Sequence, residues 1–248
     1  MARTVADCAV LQNAINGAHP TDIASLRENV ILPTSYPSVK GLRLEVSYDM
    51  GNVLPDVPFD AAIQRLVVKL QGLGAKVIEP HINWPPDISA AARTHAACLS
   101  APFFDQMMQD HLDDLCEYTK WTADFVRSRK FADLTGCIDT AKSLYRDLSP
   151  ILETCDAVIC PTVLTNTVEA EQMPWVTSTI RGVAVNTDYD WVTTSHFNML
   201  GELRALAVPI GLDETGLPVG LQIVARSYDG LRAFGVAAAV EAVVKGDP

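Results

Sequence analysis

Hydrophobic and polar positions alternate most clearly toward the carboxyl end of the chain. Leu206, Val208 and Ile210 alternate with small or turn residues, Asp213-Glu214-Thr215-Gly216 makes a polar turn, and Val219, Leu221, Ile223 and Val224 form a second apolar run. Period-two runs on either side of a glycine-bearing turn predict two neighbouring strands with one buried face. Earlier, Leu42 to Val46 alternates as a strand, Asp56 to Leu73 puts Ile63, Leu66, Val67 and Leu70 on one helical face, and Ala75 to Glu79 reads as the next strand. Strand, helix and strand with short connections predict a βαβ unit, whose strands pair in parallel through a right-handed crossover.

The remaining segments fill in around this frame. Val5 to Ile15 carries apolar residues at helical spacing and Gly17 ends it, but no capping residue precedes it, as expected of a start cut inside a larger fold. Residues 88 to 152 are helical in pattern, with Gly136 as the main expected interruption. Ala157 to Cys160 is a short, wholly apolar strand ended by Pro161, and Leu231 to Val244 is a closing helix. Val163 to Asp190 has little periodicity and reads as a long irregular excursion, a type of segment often used for function. The expected fold class is α/β, a mixed, partly parallel sheet flanked by helices, with residues 1–248 forming one unit.

Composition narrows the function. Hydrophobic residues make up 48% of the chain, and the mean hydropathy is +0.14. That is rich enough to predict apolar surface covered by a partner. A net charge of −11 argues against nucleic acid, because phosphate binding needs a basic face. No apolar run approaches membrane-spanning length, and six cysteines without paired spacing read as reduced thiols, so a cytoplasmic protein is expected.

Several segments, taken in order, resemble the amidase-signature hydrolases. Met1-Ala2-Arg3-Thr4-Val5-Ala6-Asp7 resembles the family helix that follows the catalytic loop region, and Gly41-Leu42-Arg43-Leu44 with Asp49 resembles a strand and polar turn of the family. Leu73-Gly74-Ala75-Lys76-Val77 is similar to the turn before the next sheet strand. Cys155-Asp156-Ala157-Val158-Ile159-Cys160-Pro161-Thr162 is similar to the strand ending in Pro-Thr. Asn198-Met199-Leu200-Gly201 and Gly216-Leu217-Pro218-Val219-Gly220-Leu221-Gln222 match most closely. The resemblance covers the carboxy-terminal half of the family and implies hydrolysis of carbon–nitrogen amide bonds. It also implies that the family's nucleophilic serine, the second serine that relays its proton and the basic lysine lie upstream of these segments. Arg204 stands where the family usually has proline, and a guanidinium there must reach solvent or a carboxylate.

No substitute machinery is legible. No serine follows a glycine, and there is no Ser-Ser, Ser-x-x-Lys or Gly-x-Ser-x-Gly. Ser38-Val39-Lys40 and Ser128-Arg129-Lys130 lack the glycine-rich turn that would make an oxyanion hole. His95 and Cys98 share a helical face and His111 and Cys116 follow on the next helix, but neither pair has structural-zinc spacing, so no metal and no other cofactor is expected. Cys137 and Cys160 read as buried structural thiols. Phe103, Phe104, Met107, Met108, Tyr118 and Trp121 serve either a helix core or an apolar pocket. Asp190, just before the Asn198 segment, is the candidate substrate-binding residue at the pocket edge, because the resemblance puts an acidic group there in some family members.

Two readings follow. In the first, the chain is the carboxy-terminal portion of an amidase and takes a small amide substrate only when complemented by the amino-terminal half. In the second, it is a non-catalytic binding or scaffold remnant that associates through an exposed sheet edge with a partner or with itself as a homo-oligomer.

Overall fold

The structure is a computed structural model that describes residues 1–51 and 53–246. Helix α1 spans Val5–Ile15. It is capped after all: the Thr4 hydroxyl accepts the Asp7 N–H at 3.0 Å, so the expectation of an uncapped start is corrected. Threonine at this position is itself a capping residue type, three places before the aspartate whose N–H it receives. Strand β1 (Arg43–Val46), helix α2 (Val57–Gly72) and strand β2 (Lys76–Ile78) form the expected unit, and β1 and β2 pair in parallel with Leu44 opposite Val77.

The helical stretch divides into α3 (Ile88–Asp110), α4 (Glu117–Arg127) and α5 (Phe131–Thr154). The breaks fall at 111–116 and 128–130, and Gly136 lies inside α5, which corrects the expected interruption. Glycine costs a helix only about 1 kcal/mol, less than packing returns once Cys137, Leu144, Leu148 and Leu152 are buried on the same helix. Strand β3 (Ala157–Pro161) follows and is buried along its whole length.

The excursion is less irregular than its composition suggests. It contains a hairpin of β4 (Ser178–Ile180) and β5 (Val183–Val185), and then the short helices α6 (Asp188–Trp191) and α7 (Thr194–Asn198). Arg181 and Gly182 turn the hairpin with φ of 49° and 82°, the left-handed pair that a two-residue turn matching strand twist requires. Strands β6 (Leu203–Leu212) and β7 (Pro218–Ser227) and helix α8 (Gly230–Lys245) complete the chain.

Five strands make one mixed sheet in the order β2-β1-β3-β7-β6, parallel among β2, β1 and β3 and antiparallel from β3 outward. One face carries Ile159, Val208, Leu221 and Ile223 against α1, α2 and α8. The other carries Val158, Cys160 and Val224 against α3, α5 and α7. The turn between β6 and β7 is closed by Asp213, whose carboxylate accepts from Thr215 and Leu217 N–H and from the Thr215 hydroxyl. Those bonds, with one from Asn166, hold its carboxyl at about 2.

Edge strand β6 is covered on one face only. Leu206, Val208 and Ile210 turn toward α8, while Ala205, Ala207 and Pro209 are exposed. Register puts these three on the face where β7 buries Gln222 and Val224, so cover stops abruptly at β6. Arg204, beside a bulge at Leu203, lays its guanidinium 5.1 Å from the centre of the Tyr228 ring, which answers its desolvation without a buried charge.

Candidate functional site

The excursion leaves and rejoins the sheet at one neck. Val163 bridges Val192, Leu164 N–H donates to Trp191 O at 2.8 Å, and Thr193 N–H donates to Thr162 O at 3.2 Å. Gln222 on β7 braces the neck by donating to Pro161 O at 3.2 Å, joined there by the Thr193 hydroxyl. Farther out, Arg181 pairs with Asp60 of α2 at 2.6 Å and fixes the hairpin. A loop held at both ends and at its tip is a preorganised wall.

Between this loop and α4 lies a cleft of about 640 Å³, lined by Tyr118, Glu169, Glu171, Met173, Asp188 and Trp191 among others. Tyr118 and Asp188 also border a smaller cavity of about 200 Å³ toward α3. There the Arg93 guanidinium sits 4.2 Å from the Trp121 ring centre and 3.7 Å from that of Phe125. Trp121 packs on Trp175 with ring centres 5.1 Å apart, joining α4 to the loop.

Burial sets the electrostatics. It raises the carboxyl of Asp188, with Arg93 and the Tyr189 N–H acting against the rise. Burial also raises the Tyr189 hydroxyl and lowers Arg93. Asp188 is thus a half-desolvated carboxylate at the junction of the two cavities. Asp190 is placed differently: its Oδ2 accepts Asn186 N–H at 2.7 Å and Thr187 N–H at 3.1 Å, closing the first turn of α6. Of the aromatic candidates, Phe104, Tyr118 and Trp121 border the smaller cavity, while Phe103 points outward at 64% exposure. Asp188 lines the cleft while Asp190 closes the turn of α6, a difference set by the capping hydrogen bonds.

The histidine and cysteine candidates do not converge. His95 lies on α3, His111 ends that helix, and Cys116 stands at the cap of α4 rather than within it. No group of three or more His, Cys, Asp or Glu side chains among the described residues is placed to hold a metal. Burial raises the thiols of Cys137 and Cys160.

Two hydroxyl–imidazole contacts occur among the described residues. Ser89 Oγ lies 3.3 Å from His196 Nε2, with the residues 4% and 3% exposed, and burial lowers the imidazole to about 4. Neither residue lines the cleft or the cavity beside it. Thr21 Oγ1 lies 2.9 Å from His19 Nδ1 on an exposed loop, and the Thr21 N–H shares that same nitrogen. A weak base with no route for substrate, and a surface turn, do not make a nucleophile.

The family model described as Amidase matches residues 1–231.

The chain belongs to the amidase family.

Among curated members, the glutamyl-tRNA(Gln) amidotransferase A-subunit of Caldanaerobacter subterraneus subsp. tengcongensis is 24% identical over 99% of this chain and 54% of its own. Its mitochondrial counterpart in Homo sapiens is also 24% identical, over 92% of this chain and 47% of its own. A bacterial aryl acylamidase of the amidase signature family superposes with a TM-score of 0.84 at 21% identity, covering 97% of this chain and 51% of that one. The chain spans about half the length of the amidase-family relatives it matches.

Proposed function

We propose that this chain is the substrate-side half of an amidase, hydrolysing carbon–nitrogen amide bonds when an amino-terminal half supplies the serines and the lysine. The match of nearly the whole chain to about half of each relative carries the reading. The cleft supports it, since a recessed, partly apolar space with a few polar groups suits a small amide. In this reading Asp188 reaches the substrate, and Asp190 stands at the pocket edge as the residue that positions it.

The bare face of β6 is where the complementing half would seat, and a second copy of the chain is the competing occupant. The scaffold reading draws on the same face. Among the described residues no helix is long and apolar enough to cross a membrane, and the six cysteines are unpaired. With the acidic charge, this supports a cytoplasmic protein that does not bind nucleic acid.

The test is complementation. The chain is co-expressed with the amino-terminal half of an amidase-family relative, the pair is purified, and ammonia release is measured on aliphatic and aromatic amides. Turnover by the pair alone supports the reading. Stable association without turnover favours the scaffold, and turnover by this chain alone defeats both.

A further inference from the structure

Arg204 takes no part in the cleft or its neck, yet it borders a second cavity. This space of about 520 Å³ lies between α1, β6, α8 and the loop that follows α1. Leu26, Val30 and Leu32 of the loop, Leu206 of β6 and Phe234 of α8 give it apolar walls. Ile15, Leu26 and Val30 are exposed although they line it, an apolar surface of the kind that marks ligand grooves. The loop is tied at its neck. The Asn13 side chain donates to Leu32 O and accepts the Leu32 N–H, both at 2.8 Å, and Asn16 donates to Val30 O at 2.9 Å. Tied this way, the loop covers the cavity before any ligand arrives.

Arg204 is the only basic residue among those lining the cavity. One face of its guanidinium lies against the Tyr228 ring, which borders the same space. Among the described residues the arginine ion pairs belong to Arg65, Arg127, Arg181, Arg226 and Arg232, and Arg204 pairs with no carboxylate. A guanidinium steadied by a ring and uncommitted at its N–H edge presents the planar fork that matches a carboxylate. Glu28 is the one carboxylate in the lining; it is exposed on the loop, where solvent and salt screen it. Asn16 and Ser25 are engaged with loop carbonyls. A cationic ligand would be repelled by Arg204, and a neutral apolar one would leave its fork without an acceptor. We propose that this cavity binds carboxylates with an apolar body, the carboxylate on the Arg204 fork and the body between Leu26, Leu206 and Phe234. Arg204 stands where the family usually has proline, so the guanidinium is this chain's own contribution to the wall. The site lies apart from the cleft and does not depend on the amidase reading.

Backbone amide shifts of the whole chain, followed during titration, report affinity and location together. The probes are octanoate, butyrate, octanol and octyltrimethylammonium. Octanoate is expected to cause saturable shifts among the loop, β6 and α8 residues that line the cavity. It is expected to bind about tenfold or more tighter than octanol, the effect of one hydrogen bond between charged groups. Butyrate is expected to bind more weakly than octanoate because it buries fewer methylenes, and octyltrimethylammonium to show no saturation there. Added salt is expected to weaken octanoate and leave octanol unchanged. Arg204→Gln is expected to reduce octanoate to the affinity of octanol, and Leu26→Ser to weaken both severalfold. Both side chains reach solvent, so neither replacement opens the core. Equal affinity for octanoate and octanol, saturable shifts only at other residues, or octanoate binding unchanged in either variant overturns the proposal.

Discussion

Ser89 and His196 form a buried hydroxyl–imidazole contact of 3.3 Å, on helices α3 and α7, that has the composition of a catalytic pair and the surroundings of a core. Trp84 lies edge-on to the imidazole at 6.2 Å, and His196 Nδ1 has no partner among the described residues. Ser89→Ala removes one modest bond and leaves Nε2 unsatisfied, so a loss of about 1–2 kcal/mol in denaturant unfolding is expected. Amide turnover of the complemented pair is expected to be unchanged. A variant that stays folded but loses turnover would make Ser89 catalytic.

The same imidazole ties stability to pH. Burial lowers His196 from 6.5 to about 4, so between those values the unfolded chain binds a proton that the folded chain refuses. Stability is therefore full above pH 6.5 and falls as pH drops toward 4. The loss totals about 3 kcal/mol across the window, at roughly 1.4 kcal/mol per pH unit. Asp213 is lost in the same direction but only below its ordinary 3.8, so the two windows separate. Urea midpoints at closely spaced pH values check this, and the slope between 6.5 and 4 is expected to become clearly shallower in His196→Gln, with His95, which burial also lowers, still contributing.

The Arg181–Asp60 pair pins the β4–β5 hairpin, in the same excursion as the loop that lines the cleft. The Asp60 side chain is 11% exposed and that of Arg181 30%, so the pair is partly shielded. Asp60→Asn is expected to cost about 1.5–3 kcal/mol, the range for a hydrogen bond to a charged group. Faster amide exchange confined to residues 177–187 is the accompanying signature. Uniform exchange would show that the hairpin is held by other means.

How much of this was legible in the sequence follows from where periodicity exists. The β6–β7 alternation and the apolar face of α2 are each driven by one buried side, so residue pattern and structure agree on them. The β4–β5 hairpin escapes sequence reasoning because its strands are three residues each and only the Arg181-Gly182 turn marks it. Gly136 misleads because local propensity yields to packing over the length of α5. Asp190 stands out by position in sequence, whereas Asp188 reaches the cleft because the α6 turn rotates it there.

Thiol chemistry offers an independent check on placement. Cys116 is exposed, and the Thr119 hydroxyl, 3.3 Å away, lowers its thiol. Cys155 is buried and raised to about 12. Alkylation of the native chain near neutral pH, followed by mass analysis, is expected to mark Cys116 first and Cys155 and Cys160 only after denaturation. Early labelling of Cys160 would contradict the sheet placement of β3.

The bare β6 face gives a sharp test of association. Ala207→Glu adds a charge to an exposed position, so stability is expected to change by no more than about 0.5 kcal/mol. Co-purification with an amino-terminal amidase half is expected to be lost. Retained association would move the interface elsewhere.

We propose that the chain supplies a substrate cleft and, among its described residues, no attacking hydroxyl. The most direct measurement exposes the purified chain to a serine-reactive fluorophosphonate and weighs the intact protein. An unchanged mass is expected, while a single stoichiometric adduct on one serine, formed only in the folded state, would contradict the account.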